Sequence, residues 1–176
     1  SNFPQVRCDF ANPKALELAQ LFAPPLILHS GLISNSLRED AFEKGKSIIV
    51  YEGGQSLRYD EFAIQEGVNG TLRLMKALGM YKERVVEPSP WPNILLPKAT
   101  WIRAEVSGLF NAVVSNGHWV NEGDVLGYIT NPYNDYHYDI SATSPGYLIG
   151  LNHSPVIHAG DALFHIGLTE GGPNEN

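Results

Sequence analysis

One carboxylate stands apart by its position. Glu52 follows the apolar run 48–51 and is followed at once by Gly53-Gly54. A charge at the end of a buried strand must be solvated, paired or put to use. In open α/β sheets, sites form at the carboxyl ends of strands. Glu52 therefore has two readings, a proton-transferring carboxylate or a strand-end group facing water or an arginine. The six histidines, His29, His118, His137, His153, His158 and His165, give a weaker signal. No His-x-x-Glu occurs, and no two histidines have the spacing of a helical ligand pair. His153, His158 and His165 could cluster, or stand as ordinary hydrogen-bonded surface groups. Cys8, the lone cysteine, cannot form an internal disulfide and has no base nearby in sequence. It reads as a small buried residue that suits a reducing compartment.

The elements that would carry Glu52 alternate between strand and helix. Asn12-Pro13 opens a helix, with Ala15, Leu18, Ala19 and Phe22 at helical spacing and Pro24-Pro25 as its stop. Residues 26–28 form a short apolar strand. Ser36-x-x-Glu39 has the form of a capping box, and its helix ends near Gly45. The run 47–51 reads as a buried strand. Asp60 caps a longer helix with Phe62, Ile64, Val68, Leu72, Met75 and Leu78 on its apolar side, ending at Gly79. This alternation predicts an α/β layer over 1–87. Pro88, Pro90, Pro92 and Pro97 then mark 88–98 as a linker.

Beyond it the style changes. Residues 1–95 hold 10 basic and 11 acidic side chains, residues 96–176 only 2 and 8. Helical periodicity disappears and an internal repeat takes over. The segment 104–110 matches 142–148, and 120–126 matches 157–163 with a shared Gly-Asp-x-Leu core. Two strand-turn-strand units of this kind predict an all-β barrel or sandwich over 99–168 with pseudo-twofold symmetry, followed by a polar tail, 169–176. The fold class expected is α+β overall. The repeat resembles the biotinyl/lipoyl carrier fold, whose members show a modified lysine at a hairpin tip. The corresponding stretch here, 131–139, has no lysine, and Lys98 precedes the first repeat. Carrier chemistry is therefore not expected.

Composition narrows the partners. A hydrophobic fraction of 43% and a charged fraction of 18% suit a soluble globular protein. The net charge of −7 argues against nucleic acid. No apolar run nears the roughly 18 residues that span a bilayer, and no export signal is visible. A cytoplasmic location is expected. The start Ser1-Asn2-Phe3-Pro4 lacks Met, so either a tag was removed or the chain is a piece of something longer.

The segment 45–54, with Asp60, Gly67-Val68-Asn69-Gly70 and Leu78-Gly79-Met80, resembles the succinylglutamate desuccinylase/aspartoacylase family. So do 2–7, the helix start 37–41 and the acidic β unit that follows. The resemblance covers nearly the whole chain and implies a zinc-dependent amide hydrolase related to the zinc carboxypeptidases, acting on small carboxylated N-acyl amino acids. It makes Glu52 the general base and acid, serving both proton transfers of amide hydrolysis. It implies no metal ligand within this chain, since His-x-x-Glu is absent and the third ligand would fall shortly before Ser1; the isolated chain is expected to be inactive. A carboxylated substrate calls for a guanidinium. Arg38 matches an arginine of such enzymes, with Arg58 and Arg7 as further candidates. The alternative is a non-catalytic C-terminal module that covers an active site or joins subunits, and a homo-oligomer fits either reading. A carrier or adaptor barrel is a third class, opposed by the missing lysine and by the lack of long helical hairpins.

Overall fold

The computed structural model describes residues 1–82, 86–133 and 135–170. Asn134 and most of the expected polar tail lie outside them. The chain forms two compact units, Pro4–Pro97, and Ser1–Phe3 together with the chain from Lys98 onward. Three helices, all in the first unit, and twelve strands among the described residues make the class α+β.

The first unit contains β1 (Asn2–Cys8), α1 (Pro13–Phe22), β2 (Leu26–His29), α2 (Leu37–Glu43), β3 (Val50–Gly54), α3 (Glu61–Ala77) and β4 (Ile94–Leu96). β1 and β4 both lie parallel to β2, and β3 pairs with β1, giving the order β4-β2-β1-β3. The helices start where their caps dictate. The Asn12 side chain accepts from the amides of Lys14 and Ala15, and Asp60 accepts from that of Ala63. The Ser36 hydroxyl accepts from the Glu39 amide at 3.2 Å, but the Glu39 carboxylate turns to the Asn35 amide instead of closing the box. Val6, Cys8, Ala15, Ala19, Phe22 and Ile27 form the core.

Two expectations are corrected. The Pro-rich stretch is not solely a linker, because Ile94–Leu96 pairs with Leu26–Leu28 as β4. The inward face of α3 is not the large apolar stripe either. Ala63, Glu66 and Gly70 are buried, while Ile64 and Val68 are 43% and 51% exposed. At Gly70 the reason is the close approach of α1. A Cβ on Gly70 would stand 2.1 Å from the Phe22 ring.

The second unit contains β5 (Lys98–Arg103), β6 (Gly108–Ala112), β7 (Trp119–Val120), β8 (Val125–Thr130), β9 (His137–Ser141), β10 (Gly146–Leu151), β11 (Val156–Ile157) and β12 (Ala162–Leu168). The order β5-β12-β10 forms one layer, with β7 and Asn2 of β1 also on β10. The second sheet runs β11-β6-β8-β9. The sheets stay separate, so the unit is a two-sheet sandwich and not a closed barrel. Its core draws Ile102, Leu148 and Phe164 from one sheet and Phe110, Ile129 and Ile140 from the other.

The two sequence repeats exchange equivalent bonds. The Ala104 amide donates to the Asp161 carbonyl, and Ala142 donates to Asp124. Gly160 donates back to Ala104, and Gly123 to Ala142. β6 pairs with β11 as β10 pairs with β7. The repeated aspartates close their turns alike, accepting from the Asn121 and His158 amides at 2.7 Å each. Gly123 and Gly160 take φ of 88° and 92°, which a tight turn needs from glycine.

Candidate active site

Strand alternation decides what can meet Glu52. Val6 and Cys8 of β1 belong to the core under the helices. Successive side chains point to opposite faces, so Gln5 and Arg7 look the other way. On β3 the Tyr51 hydroxyl donates to the Ala63 carbonyl of α3 at 2.5 Å. Its neighbour Glu52 therefore points away from α3, toward Arg7. The Arg7 Nε and a Glu52 carboxylate oxygen are 3.0 Å apart, with the side chains 24% and 34% exposed. The N–H is not aligned as a hydrogen bond, so the contact is chiefly ionic.

Glu52 lies inside β3 and not beyond its end. The strand spans Val50–Gly54 where 47–51 was expected. Ile49 packs on the first core before strand pairing begins, and the two glycines extend the strand until Gly54 turns at φ 78°.

The other two arginines stand elsewhere. Arg38, near the start of α2, donates to the Ser30 carbonyl and hydroxyl at 2.9 Å each and to the Gly31 carbonyl at 3.0 Å. Those three bonds leave two of its five donors for a ligand. It lines a small cleft with Asp9, Asn12 and Lys46. Arg58 is exposed on the bend between β3 and α3. So the fold brings Arg7 to Glu52, holds Arg38 on the loop after β2, and leaves Arg58 in solvent.

Gln5 is a residue that sequence reasoning did not single out. It shares the face of Arg7, is fully buried, and has no hydrogen bond at either amide atom. A buried amide without partners is costly. Only the Gln5-x-Arg7 alternation hinted at it.

The histidines do not converge. His29 accepts from the Phe10 amide at 3.1 Å through Nδ1, His165 stacks on Trp101 with ring centroids 3.9 Å apart, and His153 meets the Ser1 hydroxyl at 2.7 Å. Among the described residues no three of His, Cys, Asp and Glu come together as a metal site. A zinc ligand set therefore does not fit the residues present. Cys8 is fully buried, and burial, with Asp9 adding, pushes its thiol from the usual 9.0 to about 11, against a smaller opposing effect of Arg38. Of the stretch 131–139, His137 and its two successors belong to β9, Asn134 lies outside the described residues, and the Tyr136 hydroxyl donates to the Ser107 carbonyl at 2.6 Å.

A sheet of parallel strands beside helices, followed by a two-sheet β unit, is the architecture of solved succinylglutamate desuccinylase/aspartoacylase structures. The chain matches the apo ectoine utilization protein EutE (DoeB) from Ruegeria pomeroyi with a TM-score of 0.83 at 18% identity, over 96% of this chain and 56% of that one. It matches a succinylglutamate desuccinylase/aspartoacylase from Rhodobacter sphaeroides with a TM-score of 0.82 at 17% identity, over 97% and 55%. A succinylglutamate desuccinylase from Silicibacter sp. TM1040 gives 0.80 at 20% identity, over 96% and 54%. At these identities the likeness is one of fold. The chain spans just over half the length of each. No protein-family model and no curated protein matches the sequence.

Proposed function

We propose that this chain is the C-terminal portion of an amide hydrolase that cleaves small carboxylated N-acyl amino acids. The observation that carries the reading is the Arg7–Glu52 pair on one face of β1 and β3, within a fold shared with desuccinylase and aspartoacylase structures. Glu52 takes the proton of the attacking water and delivers it to the leaving amine, so one carboxylate serves both transfers. Arg7 holds that carboxylate in place and offers its guanidinium to a substrate carboxylate. Arg38 keeps two donors for the same purpose, and Arg58 is the solvent-exposed candidate of the three. Zinc, when bound, would polarise the scissile carbonyl and the water. Its ligands belong to polypeptide outside this chain, and the chain alone is inactive.

The wider reading is a cytoplasmic enzyme without nucleic-acid or membrane partners, able to form a homo-oligomer. The net charge of −7 and the lone buried thiol support it. No helix among the described residues is long and apolar enough to cross a membrane. The second unit resembles biotinyl/lipoyl domains in its exchanged repeats. A purely assembling module is the second reading, favoured by the lack of a ligand set among the described residues.

The test is amine release from N-acetylaspartate and N-succinylglutamate by the zinc-loaded complete enzyme. Turnover of either, lost on chelation and restored by zinc, supports the reading. A complete, zinc-loaded enzyme inert toward both removes it.

A further inference from the structure

Tyr51, the chain neighbour of Glu52, sits in a slot cut for it. Its hydroxyl donates to the Ala63 carbonyl in the first turn of α3 at 2.5 Å. Its ring packs on the first core, with its centroid 5.4 Å from that of Phe22. Two glycines leave the room. A Cβ on Gly53 would stand 2.8 Å from the phenol oxygen, and one on Gly67 would stand 2.9 Å from ring carbon Cε1. Glycine weakens strand and helix interiors alike, and the slot is what these two provide. The end of β3 is pressed against the same turn of α3. A Cβ on Gly53 would lie 3.2 Å from that of Ala63, and one on Gly54 would lie 3.0 Å from that of Asp60. The residues on both sides of Glu52 are therefore fixed to the start of α3. The Arg7 contact of Glu52 is softer, 3.0 Å long and not aligned as a hydrogen bond, so it does not by itself set where the carboxylate stands.

We propose that Tyr51 is a positioning residue for Glu52: its hydroxyl, seated between Gly53 and Gly67, ties β3 to the start of α3 and so fixes where the Glu52 carboxylate stands. This rests on the catalytic role proposed for Glu52. Neighbouring residues of a strand point to opposite faces of one backbone. A rotation of β3 about its axis that lifts Tyr51 from its slot therefore swings Glu52 as well. A proton-transferring carboxylate must lie within hydrogen-bond reach of the water it activates, and small misplacements are costly. The core does not require the hydroxyl. A phenylalanine ring would fill the same space between the two glycines, and the Ala63 carbonyl would keep its helical bond from the Gly67 amide. What the oxygen adds is direction, a tie between one strand position and one helix position.

Steady-state kinetics of Tyr51→Phe in the complete, zinc-loaded enzyme, alone and combined with Glu52→Gln, test this. Tyr51→Phe should lower kcat roughly tenfold or more at nearly unchanged KM and zinc content, since a displacement of about 1 Å can cost about a hundredfold. In the Glu52→Gln background the same substitution should change kcat by less than about twofold, because the group it positions is gone. Gly67→Ala, which drives the ring out of its slot, should follow the same pattern. A Tyr51→Phe enzyme within about twofold of the parent kcat, or an equal fall in both backgrounds, overturns the proposal and leaves the hydrolase reading in place. A crystal structure of Tyr51→Phe supplies a readout apart from turnover. It should show the Glu52 carboxylate moved by about 1 Å from its place beside Arg7. In an enzyme inert toward N-acyl amino acids, that displacement upholds the Tyr51 anchor and removes the catalytic reading alone. An unmoved carboxylate overturns the anchor.

Discussion

Gly108→Ala and Gly146→Ala should destabilise the sandwich by similar amounts, because the sequence repeat places the two glycines in the same trap. A Cβ at Gly108 would stand 2.4 Å from the Thr130 carbonyl oxygen and 2.6 Å from Ile129 Cγ2. At Gly146 it would meet the Gly167 carbonyl oxygen at 2.4 Å and Ile166 Cγ2 at 2.7 Å. The obstacle is the backbone of a neighbouring strand, which a rotamer change cannot relieve. Overpacking costs about 1–3 kcal/mol, and a ladder hydrogen bond lost as the strands part adds about 1. The reduced freedom of the unfolded alanine chain returns about 0.4–1 kcal/mol. A net loss of about 1–3.5 kcal/mol per substitution follows. Gly123 and Gly160 supply the contrast. Their Cβ positions are open, and only φ near +90° opposes alanine, at a cost of about 1–2 kcal/mol before the same entropic return. Urea unfolding followed by fluorescence of Trp101 and Trp119 reads all four, with a midpoint shift of roughly 0.5 M or more for the first pair. The reasoning fails if Gly108→Ala and Gly146→Ala both stay within about 0.5 kcal/mol of the parent, or if the turn glycines prove the costlier pair.

Arg73 donates to the Phe22 and Ala23 carbonyls at 2.9 and 3.1 Å and stands 3.8 Å from the buried Glu66. Arg73→Ala should therefore cost about 3 kcal/mol, and Glu66→Gln in the same background should recover part of it in a double-mutant cycle. Asn12→Ala removes the α1 cap and should lower stability by about 1 kcal/mol in urea unfolding. Alkali should loosen the first unit. Burial pushes the Cys8 thiol from 9.0 to about 11 and, with Glu66 and Asp60 adding, the Tyr51 phenol from 10.0 to about 12. Both folded values are raised, so this stability is complete below the unfolded values and is lost as pH rises from about 9 toward 12. Tyr51→Phe should flatten the upper part of that fall, as measured by the urea midpoint against pH.

Much of this architecture is written locally. The caps at Asn12 and Asp60 are single-residue signals, and the Gly-Asp-x-Leu repeat is visible without any knowledge of contacts. What escaped were features set by distant neighbours. β1 carries Pro4, Gln5 and Arg7 and shows no strand pattern, yet Gln5–Cys8 lie in register with Leu26–His29. Residues 94–96 were hidden among prolines, because a three-residue strand leaves no periodicity to read. The inner face of α3 was misread because hydrophobic size normally points to the core, whereas here that face holds Ala63, the buried Glu66 and Gly70, where the approach of Phe22 leaves no room for a Cβ. At the site, Glu52 announced itself by its place after an apolar run. Its pairing with Arg7 spans 45 residues, and no spacing rule anticipates it.

The central claim is that Glu52 moves protons. Its direct test is the turnover of Glu52→Gln in the complete, zinc-loaded enzyme on the parent's best N-acyl amino acid, with zinc content measured on the same sample. Glutamine keeps the size and a hydrogen-bonding carbonyl but cannot accept the water's proton. A fall in kcat of roughly two to four orders of magnitude at unchanged zinc and nearly unchanged KM is the predicted result. A near-normal kcat at full zinc occupancy would contradict the account and leave Glu52 as the structural partner of Arg7.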